Sequence, residues 1–298
     1  MKIHTWISAL RLRTLPLALS TIGMGSFLAE ADSVFNSSIF IWAAITTVLL
    51  QILSNLANDY GDSIHGADNE ERVGPERAVQ SGVISSKEMK YGIILFAILS
   101  FVSGNVLLYV SVGIGTKLFF WFLGFGILSI IAAYTYTAGK APYGYAGLGD
   151  LMVLIFFGIL GVGGSYFLYA KSIPSEVFLP ALAMGALATG VLNINNLRDA
   201  DSDRNAGKNT IPVRFGVGFA KAYHWILILA AIMLSAVYVF LRDITMIRLV
   251  SLVGLPLLFL NGYKVSSTKE KKDLDPYLKQ LAISTFIFML AFGLAIIL

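Results

Sequence analysis

Two polar clusters in this 298-residue chain place asparagine and aspartate at helical spacing. Their members recur every three or four residues, so each cluster lies on one face of a helix. The first cluster holds Asn55, Asn58, Asp59 and Asp62, and the second holds Asn195, Asp199 and Asp203. If the two faces oppose each other, four carboxylates and several amides converge on one site.

Four carboxylates that converge where the dielectric constant is low repel one another strongly. Divalent cations would relieve that repulsion. The chain has no cysteine, and its three histidines are scattered, so oxygen atoms are the available ligands. Oxygen ligands favour Mg²⁺ over Zn²⁺, and protein-bound Mg²⁺ commonly completes its shell with water and substrate phosphate. The clusters therefore predict a Mg²⁺ site for a phosphorylated substrate.

Basic side chains follow each acidic cluster closely. They are Arg72 and Arg77 after the first cluster, and Arg204, Lys208 and Arg214 after the second. These cations could hold a diphosphate whose other oxygens lie on Mg²⁺. The alternative is that they are solvated loop charges, and for Arg77 alone the two interpretations carry equal weight.

A third polar segment begins at Tyr136. Tyr136 and Lys140 are four residues apart and share a face if the helix continues through them, so we expect them to belong to the site. Placement in the aromatic belt of the membrane explains Tyr143 and Tyr145 equally well. Asp150 could be a metal ligand, a base or simply the start of a helix.

Composition indicates that membrane helices position these residues. Hydrophobic residues make up 56% of the chain and charged residues only 13%, whereas a soluble domain is about one quarter charged. The charges are clustered and leave long uncharged stretches, which is typical of a polytopic membrane protein with one bundle. The net charge of +4 fits loops that face anionic lipid, and no nucleic-acid partner is expected.

Uncharged stretches predict nine membrane-spanning helices, each near the roughly 20 residues that cross a bilayer. Their approximate bounds are 15–29, 38–56, 91–112, 118–138, 151–170, 177–195, 222–241, 247–263 and 280–298. The first could extend back to Trp6, with Arg11 and Arg13 facing protein or lipid headgroups. We therefore expect an all-α fold in which residues 1–298 form one transmembrane domain.

The distribution of basic residues predicts the orientation in the membrane. With the N-terminus inside, inner segments hold 18 lysines and arginines and outer segments hold 4, as the positive-inside rule requires. The N-terminus is then cytoplasmic and the C-terminus lies outside. The long polar loops, at about 57–90, 139–150 and 196–221, all fall on the cytoplasmic face, where function is expected.

The two clusters also form a weak internal repeat. Each ends a helix, and each is followed by a basic, glycine-containing segment. Four helices separate them, so both can face one cavity, and paired polar motifs in two halves of a membrane protein commonly mark the site. We expect two four-helix halves, which carry the motifs at 55–82 and 195–214, and a ninth helix.

These residues resemble the motif of the UbiA superfamily of intramembrane aromatic prenyltransferases, N-D-x-x-D-x-x-x-D, which occurs twice on nine helices. The copies here match at Asn58, Asp59 and Asp62, and at Asn195, Asp199 and Asp203. Two positions depart from the pattern. Asn196 replaces the usual aspartate, and Gly66 stands where the first copy should end, so the next carboxylate is Asp68.

Five longer stretches resemble the branch of this superfamily that prenylates 1,4-dihydroxy-2-naphthoate in menaquinone synthesis. They are RLRTLP at 11–16, NDYGDSIHGAD at 58–68, RVGPERAVQSG at 72–82, APYGYAGLGD at 141–150 and NNLRDADSDRNAGKNT at 195–210. The resemblance covers the first seven predicted helices.

The resemblance implies a UbiA-type bundle in a bacterial cytoplasmic membrane, with a central cavity open to the cytoplasmic side. A polyprenyl diphosphate would bind with its head on two Mg²⁺ ions and its tail among the helices. The prenyl group would then pass to the naphthoate ring, with loss of diphosphate and CO₂, giving demethylmenaquinone.

The resemblance also implies roles for particular residues. The Mg²⁺ ligands are Asp59, Asp62, Asp68, Asp199 and Asp203, and Tyr136 and Lys140 join them in catalysis. The residues that would contact substrate are Asn55, Asn58, Arg72, Arg77, Asn195, Lys208 and Arg214.

Two rival functions stay open at the level of sequence. One is the same chemistry on another aromatic acceptor, such as 4-hydroxybenzoate, homogentisate, haem or a chlorophyllide. The other is a cation-coupled transporter in which the clusters are ion sites. Transporters commonly bind at the bilayer midplane, whereas these clusters lie at one membrane edge.

Overall fold

The structure is a computed structural model that describes residues 2–67, 77–242 and 253–298. Within these ranges all regular structure is helical. The helices are α1 (Lys2–Leu10), α2 (Leu15–Ala31), α3 (Ser37–Ile64), α4 (Ser86–Val112), α5 (Lys117–Thr135), α6 (Gly149–Ala170), α7 (Phe178–Arg198), α8 (Ala200–Asn205), α9 (Ile211–Phe215), α10 (Val217–Leu241), α11 (Leu255–Ser267) and α12 (Asp275–Ile297). Short 3₁₀ turns lie at Leu12–Thr14, Ser175–Val177 and Lys271–Leu274.

Eight helical stretches in the described ranges are long and apolar enough to cross a membrane. They correspond to the first seven predicted helices and the ninth, which confirms an all-α, multi-pass membrane protein. The predicted eighth helix, 247–263, overlaps residues outside the described ranges. Its residues 255–263 lie in the 13-residue α11, which continues to Ser267. The count of nine therefore stays a prediction.

Helix α3 continues eight residues beyond the predicted end at 56, to Ile64. The predicted boundary followed the end of the apolar run, but the backbone hydrogen bonds continue past it, and the His65 N–H donates to the Gly61 carbonyl at 3.1 Å. Asp59 and Asp62 therefore lie within α3, on the helix that their spacing predicted.

The amino-terminal segment forms a helix separate from α2. Arg11 adopts a left-handed conformation with φ 49° and ψ 54°, which turns the chain between α1 and α2. The Asn55 side-chain amide of α3 donates to the Leu10 carbonyl at 2.9 Å and to the Thr14 hydroxyl at 3.2 Å. These bonds hold the turn at Leu12–Thr14 against α3.

Helix α5 ends at Thr135, three residues before its predicted end at 138. Gly139 has a φ of +94°, and the chain folds back so that the Gly144 N–H donates to the Tyr136 carbonyl at 2.9 Å. No helix therefore carries both Tyr136 and Lys140, and the shared face expected from their spacing does not form.

Helix α6 changes its winding at the centre. Residues Leu154–Gly164 form a π-helix, a form that is rare and often marks functional sites. The segment contains four glycines, and Gly158 lies so close to α7 that an added Cβ would be 2.7 Å from the Ala181 carbonyl. Helix α7 itself lies at the centre of the bundle, with Ala183, Met184 and Leu187 fully buried.

An ion-pair cluster joins four segments at the opposite end of the bundle from the acidic clusters. Arg242, after α10, donates to both carboxylate oxygens of Asp32, after α2, at 2.7 and 3.4 Å. The Tyr166 hydroxyl donates to Asp32 at 2.6 Å, and Glu176 lies 3.7 Å from Arg242. We call Asp32, Tyr166, Glu176 and Arg242 the distal clasp.

Candidate active site

Helix α3 carries the first cluster into the interior. Asp59 is 1% exposed, and its carboxylate accepts the backbone N–H groups of Ala78 at 3.1 Å and Val79 at 3.3 Å. The loop before α4 therefore closes over Asp59. Arg72 and Asp68, predicted in this loop, lie outside the described residues.

Asp62 is surrounded by donors from three other segments. It accepts the Tyr145 hydroxyl at 3.1 Å and the Lys208 ammonium at 2.9 Å, and the Arg77 guanidinium lies 3.5 Å away. The predicted Arg77 and Lys208 thus reach the first cluster. Tyr145 belongs to this cluster as well. The sequence alone explained Tyr145 equally well as a residue of the aromatic belt.

The second cluster spans the end of α7. Asp199 has a φ of −94° and a ψ of 12°, so α7 ends there and Asp203 lies on the separate helix α8. The hydrogen bonds from Asp199 N–H to the Asn195 carbonyl and from Asp203 N–H to the Asp199 carbonyl, at 3.0 and 2.9 Å, preserve the four-residue spacing. The predicted continuous helix is wrong, but the spacing it required is kept.

Lys208 bridges the two clusters. Its ammonium group lies 2.9 Å from Asp62 and 3.7 Å from Asp203, and 4.9 Å from the centre of the Tyr145 ring. The Lys208 side chain is 12% exposed. One nearly buried cation therefore lies between carboxylates from the two halves of the chain.

Burial and charge act together on the groups of this bridge. Burial raises the pKa of Asp203 to about 7, and the charges of Asp199 and Asp62 add to the rise while Lys208 opposes it. Burial alone would lower the pKa of Lys208, but the charges of Asp62 and Asp203 raise it, so Lys208 is an ammonium ion. Burial and Asp62 raise the pKa of Tyr145, whose hydroxyl stays protonated and can donate.

Arg198 forms a second charged contact that the sequence reasoning missed. Its guanidinium donates to both oxygens of Asp199, at 2.8 and 2.7 Å, and to the side-chain oxygen of Asn195 at 2.8 Å. It also contacts Asp275, at the start of α12. Arg198 is 1% exposed. The position of Arg198 inside the second motif could have indicated a role in the site. Asp275 lies 77 residues further along the chain, and no sequence pattern links it to the motif.

An apolar cavity of about 390 Å³ begins beside the clusters. Asn58 and Tyr136 line it, and the Thr137 hydroxyl donates to the Asn58 side-chain oxygen at 3.1 Å. Its other walls come from α2 to α6 and from Leu192 of α7. Lining residues extend along α3 from Asn58 back to Ala43, which is about 22 Å at 1.5 Å per residue.

The remaining predicted residues have different surroundings. Burial raises the pKa of Tyr136, and the charges of Asp150 and Asp62 add to the rise, so Tyr136 is a neutral donor close to the clusters. Lys140 and Arg214 are exposed, and the Arg214 guanidinium lies 5.4 Å from the Phe215 ring. Neither basic residue joins the Lys208 bridge.

The carboxylates are neutralised by lysine and arginine in this structure. Among the described residues, no three acidic or histidine side chains form a group that could hold a metal ion. The donor chemistry nonetheless fits Mg²⁺, because the nearby ligands are carboxylate and amide oxygens. The Lys208 ammonium also shows that a cation is accommodated between Asp62 and Asp203.

Fold and site together define a helical membrane protein with a charged, nearly buried site at the mouth of an apolar cavity. The model of the UbiA prenyltransferase family matches residues 18–290. The chain belongs to the UbiA prenyltransferase family, which confirms the resemblance seen in its motifs.

Full-length relatives agree with this assignment. The chain is 43% identical to a 1,4-dihydroxy-2-naphthoate octaprenyltransferase of Haemophilus influenzae, over 99% of this chain and 96% of that protein. It is also 43% identical to a 1,4-dihydroxy-2-naphthoate octaprenyltransferase of Escherichia coli, over 100% of this chain and 96% of that protein.

Solved structures share the fold. A UbiA homologue from Aeropyrum pernix without ligand has a TM-score of 0.70 and 18% identity, over 94% of this chain and 96% of that one. A UbiA homologue from Archaeoglobus fulgidus bound to DMAPP and Mg²⁺ has a TM-score of 0.65 and 20% identity, over 96% and 98%.

Proposed function

We propose that this protein transfers a polyprenyl group from polyprenyl diphosphate to 1,4-dihydroxy-2-naphthoate, with loss of diphosphate and CO₂, giving demethylmenaquinone. The observation that carries the prenyl-transfer part is the Lys208 bridge between two aspartate clusters at the mouth of an apolar cavity. The acceptor rests on the loop sequences and on full-length relatives that bear the name 1,4-dihydroxy-2-naphthoate octaprenyltransferase.

The carboxylates would hold two Mg²⁺ ions. The A. fulgidus homologue binds Mg²⁺ together with DMAPP, and the described donor set here consists of oxygen ligands. The proposed ligands are Asp59, Asp62, Asp199 and Asp203, with Asp68 as a further predicted ligand. When bound, Mg²⁺ neutralises charge on the diphosphate and makes it a better leaving group.

The cations of the site would bind the diphosphate. Lys208 and Arg77 lie beside Asp62 at 2.9 and 3.5 Å, so both can turn from that carboxylate to a phosphate oxygen. Arg72 and Arg214 remain predicted diphosphate contacts, and Lys140 a predicted catalytic residue. Charge-assisted donors of this kind stabilise the negative charge that develops as the allylic C–O bond breaks.

Polar side chains at the cavity mouth would orient the reacting groups. Tyr136 and Asn58 line the cavity where it meets the clusters, and Asn195 is held by Arg198 at 2.8 Å. Asn55 would act on the site indirectly, because its amide holds the turn that contains Leu12. The apolar walls exclude water, which would otherwise capture an allylic cation before it reached the naphthoate ring.

The polyprenyl tail would lie in the apolar cavity and reach the bilayer along α5. The cavity wall includes Phe125 and Ile127, which are 42% and 41% exposed. A tail that fills the cavity can therefore continue into lipid without crossing a polar surface.

We further propose the topology that the basic residues predict. All 298 residues form one transmembrane domain with nine helices, a cytoplasmic N-terminus and a C-terminus outside. The clusters and their cavity then open to the cytoplasmic side of a bacterial membrane, where a water-soluble acceptor and Mg²⁺ are available.

The test is an acceptor assay on the purified protein with labelled octaprenyl diphosphate. Parallel reactions receive 1,4-dihydroxy-2-naphthoate, 4-hydroxybenzoate, homogentisate, haem or a chlorophyllide, and Mg²⁺ is omitted and then restored. We expect prenylated product and diphosphate with the naphthoate, and with Mg²⁺ present. Product with another acceptor would replace the naphthoate assignment, and ion flux without diphosphate release would favour a transporter.

A further inference from the structure

Helix α6 lines the apolar cavity along most of its length. The lining residues recur at every fourth position, and this row consists of Met152, Phe156, Leu160, Gly164 and Leu168. Each of them except the last is followed directly by a second lining residue. One wall of α6 therefore faces the cavity from the first turns of the helix to its last.

A row at four-residue spacing does not stay on one face of an α-helix. An α-helix has about 3.6 residues per turn, so the row drifts by about 40° at each step and by about 160° over four steps. In such a helix Leu168 would face away from Met152. The π-helix at Leu154–Gly164 has i→i+5 hydrogen bonds and more residues per turn, which offsets most of this drift. The winding of α6 therefore decides which residues reach the cavity.

Two adjacent glycines show the effect of this winding. Eleven residues of α-helix make about three complete turns, so a purely α-helical α6 would place Gly163 on the row that starts at Met152. In the structure Gly164 lines the cavity, whereas Gly163, which also belongs to the described residues, does not. The π-helix thus moves the row by one residue and brings Gly164 into the cavity.

Gly164 leaves a gap in the wall, because the other four residues of the row have large side chains. An added Cβ at Gly164 would meet no atom of the described residues within 4 Å. Gly161 also lines the cavity, but an added Cβ there would lie 2.8 Å from the Thr21 hydroxyl of α2. The gap at Gly164 is therefore open space. It lies at most about 18 Å along α6 from Met152, at 1.5 Å per residue.

Contacts beyond the π-helix hold the last turns of α6 in this orientation. The Tyr166 hydroxyl donates to Asp32 at 2.6 Å, and the Tyr169 hydroxyl shares a hydrogen bond with Ser26 at 2.8 Å. Both partners belong to α2 or to the turn after it. A rotation that restored α-helical winding would break these bonds, so the direction in which Gly164 faces is fixed.

We propose that Gly164, which the π-helix turns into the apolar cavity, determines how long a prenyl chain this protein accepts. This inference rests on the proposed function and adds a specificity-determining residue to it. A geranyl chain ends before it reaches Gly164, whereas an octaprenyl chain passes it. A larger side chain in the gap would therefore overpack the cavity for the long chain and leave the short chain unaffected.

The test compares the binding of octaprenyl diphosphate and geranyl diphosphate to the purified full-length protein in lipid nanodiscs. Mg²⁺ is present and the aromatic acceptor is omitted, so binding is measured without turnover. We expect G164L to weaken the affinity for octaprenyl diphosphate by about tenfold or more. Its affinity for geranyl diphosphate should change by less than about twofold.

The matched control is G163L. Gly163 is the neighbouring residue, and an added Cβ there also meets no atom of the described residues within 4 Å. Because Gly163 is not part of the cavity lining, G163L should leave the ratio of the two affinities unchanged within about twofold. G164A and G163A form a milder pair in case the leucine variants fold poorly, and G164A should lower the ratio in the same direction as G164L.

Each outcome decides the role of Gly164. An unchanged ratio in G164L and G164A would overturn it. An equal fall of the ratio in the Gly163 variants would overturn it too, because a continuous α-helix predicts that result. Equal losses for both diphosphates in G164L would assign the effect to the charged site instead. A wild type that binds neither diphosphate would overturn the proposed donor as well. If the ratio behaves as expected but the acceptor assay yields no prenylated naphthoate, the role of Gly164 stands and the proposed acceptor fails.

Discussion

Lys208 and Asp62 lie 146 positions apart in the chain and 2.9 Å apart in the structure. The same ammonium group lies 3.7 Å from Asp203, so one cation joins the two aspartate clusters. The side chains of Lys208 and Asp62 are 12% and 7% exposed. Exposed ion pairs contribute little to stability, but a nearly buried cation between two carboxylates is needed to offset their repulsion.

Replacing Lys208 by glutamine (K208Q) removes the cation between Asp62 and Asp203. We expect kcat/KM for prenyl diphosphate to fall by about 100-fold or more, as on loss of one donor that stabilises transition-state charge. The melting temperature should also fall, because buried carboxylates lose their partner. The measurements are steady-state prenyl transfer and thermal unfolding in detergent.

The matched control is K271Q. Lys271 pairs with the exposed Asp201 at 2.6 Å, on the same side of the bundle. Loss of that surface pair should alter neither turnover nor stability appreciably. Normal turnover in K208Q would contradict the assignment of Lys208 to the site.

Replacing Asp59 or Asp199 by alanine (D59A, D199A) should abolish prenyl transfer while the protein still inserts in the membrane. Both carboxylates are about 95% buried or more, and each is a proposed Mg²⁺ ligand. D201A is the control, because Asp201 lies between Asp199 and Asp203 in sequence but its side chain is 61% exposed. Product formation by the membrane fraction is measured alongside the amount of inserted protein. Substantial turnover in both D59A and D199A would contradict the metal assignment.

A leucine at Gly126 (G126L) should narrow the apolar cavity without a clash. Gly126 lines the cavity, and an added Cβ there meets no atom within 4 Å. We expect KM for octaprenyl diphosphate to rise several-fold, while KM for geranyl diphosphate changes little, because Gly126 lies ten residues before Tyr136, about 15 Å along α5 at 1.5 Å per residue, and the short chain ends before it reaches Gly126. Leucine also has a higher helix propensity than glycine, by about 0.8 kcal/mol. The free energy of unfolding should therefore not decrease.

Gly124 provides the control on the same helix. An added Cβ at Gly124 also meets nothing within 4 Å, but Gly124 is not part of the cavity lining. G124L should leave the KM values for both chain lengths unchanged. An equal effect of G124L and G126L would show that α5 does not border the tail.

Replacing Asp32 by asparagine (D32N) should lower the free energy of unfolding by about 1 kcal/mol. Burial acts to raise the pKa of Asp32, but hydrogen bonds from Arg242 and Tyr166 hold it below its ordinary value. A depressed pKa means that the carboxylate stabilises the fold above its unfolded pKa of about 4 and loses this effect as the pH falls further.

The difference in melting temperature between wild type and D32N should therefore be largest at neutral pH and shrink below about pH 4. Prenyl transfer at neutral pH should be unaffected, because the distal clasp lies at the other end of the bundle. A difference in melting temperature that stays constant down to acidic pH would mean that Asp32 does not stabilise the fold as a carboxylate ion.

Most of the helices could be predicted from the sequence, because a membrane span needs a long uncharged stretch and leaves a strong local signal. The convergence of the two aspartate clusters was predictable for a similar reason. Helical spacing placed Asp59 and Asp62 on α3, and the even number of intervening helices brought Asp203 to the same end of the bundle.

Contacts between distant segments leave no such signal. Asp275 is a single aspartate before an apolar run, and its contact with Arg198 depends on how α12 packs against α7. The chain turns back after the end of α5 at Thr135, and a backbone hydrogen bond from the Gly144 N–H to the Tyr136 carbonyl holds this turn. The spacing of Tyr136 and Lys140 does not indicate that turn. Tyr145 was ambiguous because an aromatic ring fits both a membrane surface and a lysine–aspartate pair.

The proposed reaction requires that Asp62 and Asp203 serve one site, and a comparison of single and double variants distinguishes one site from two. Residues that act as a unit give grossly non-additive losses. We measure kcat/KM for octaprenyl diphosphate with 1,4-dihydroxy-2-naphthoate in D62N, D203N and the double variant. If the two carboxylates act as a unit, kcat/KM of the double variant is at most about threefold lower than that of the poorer single variant. Losses that multiply in the double variant would contradict it, because they would mean that the two clusters act independently.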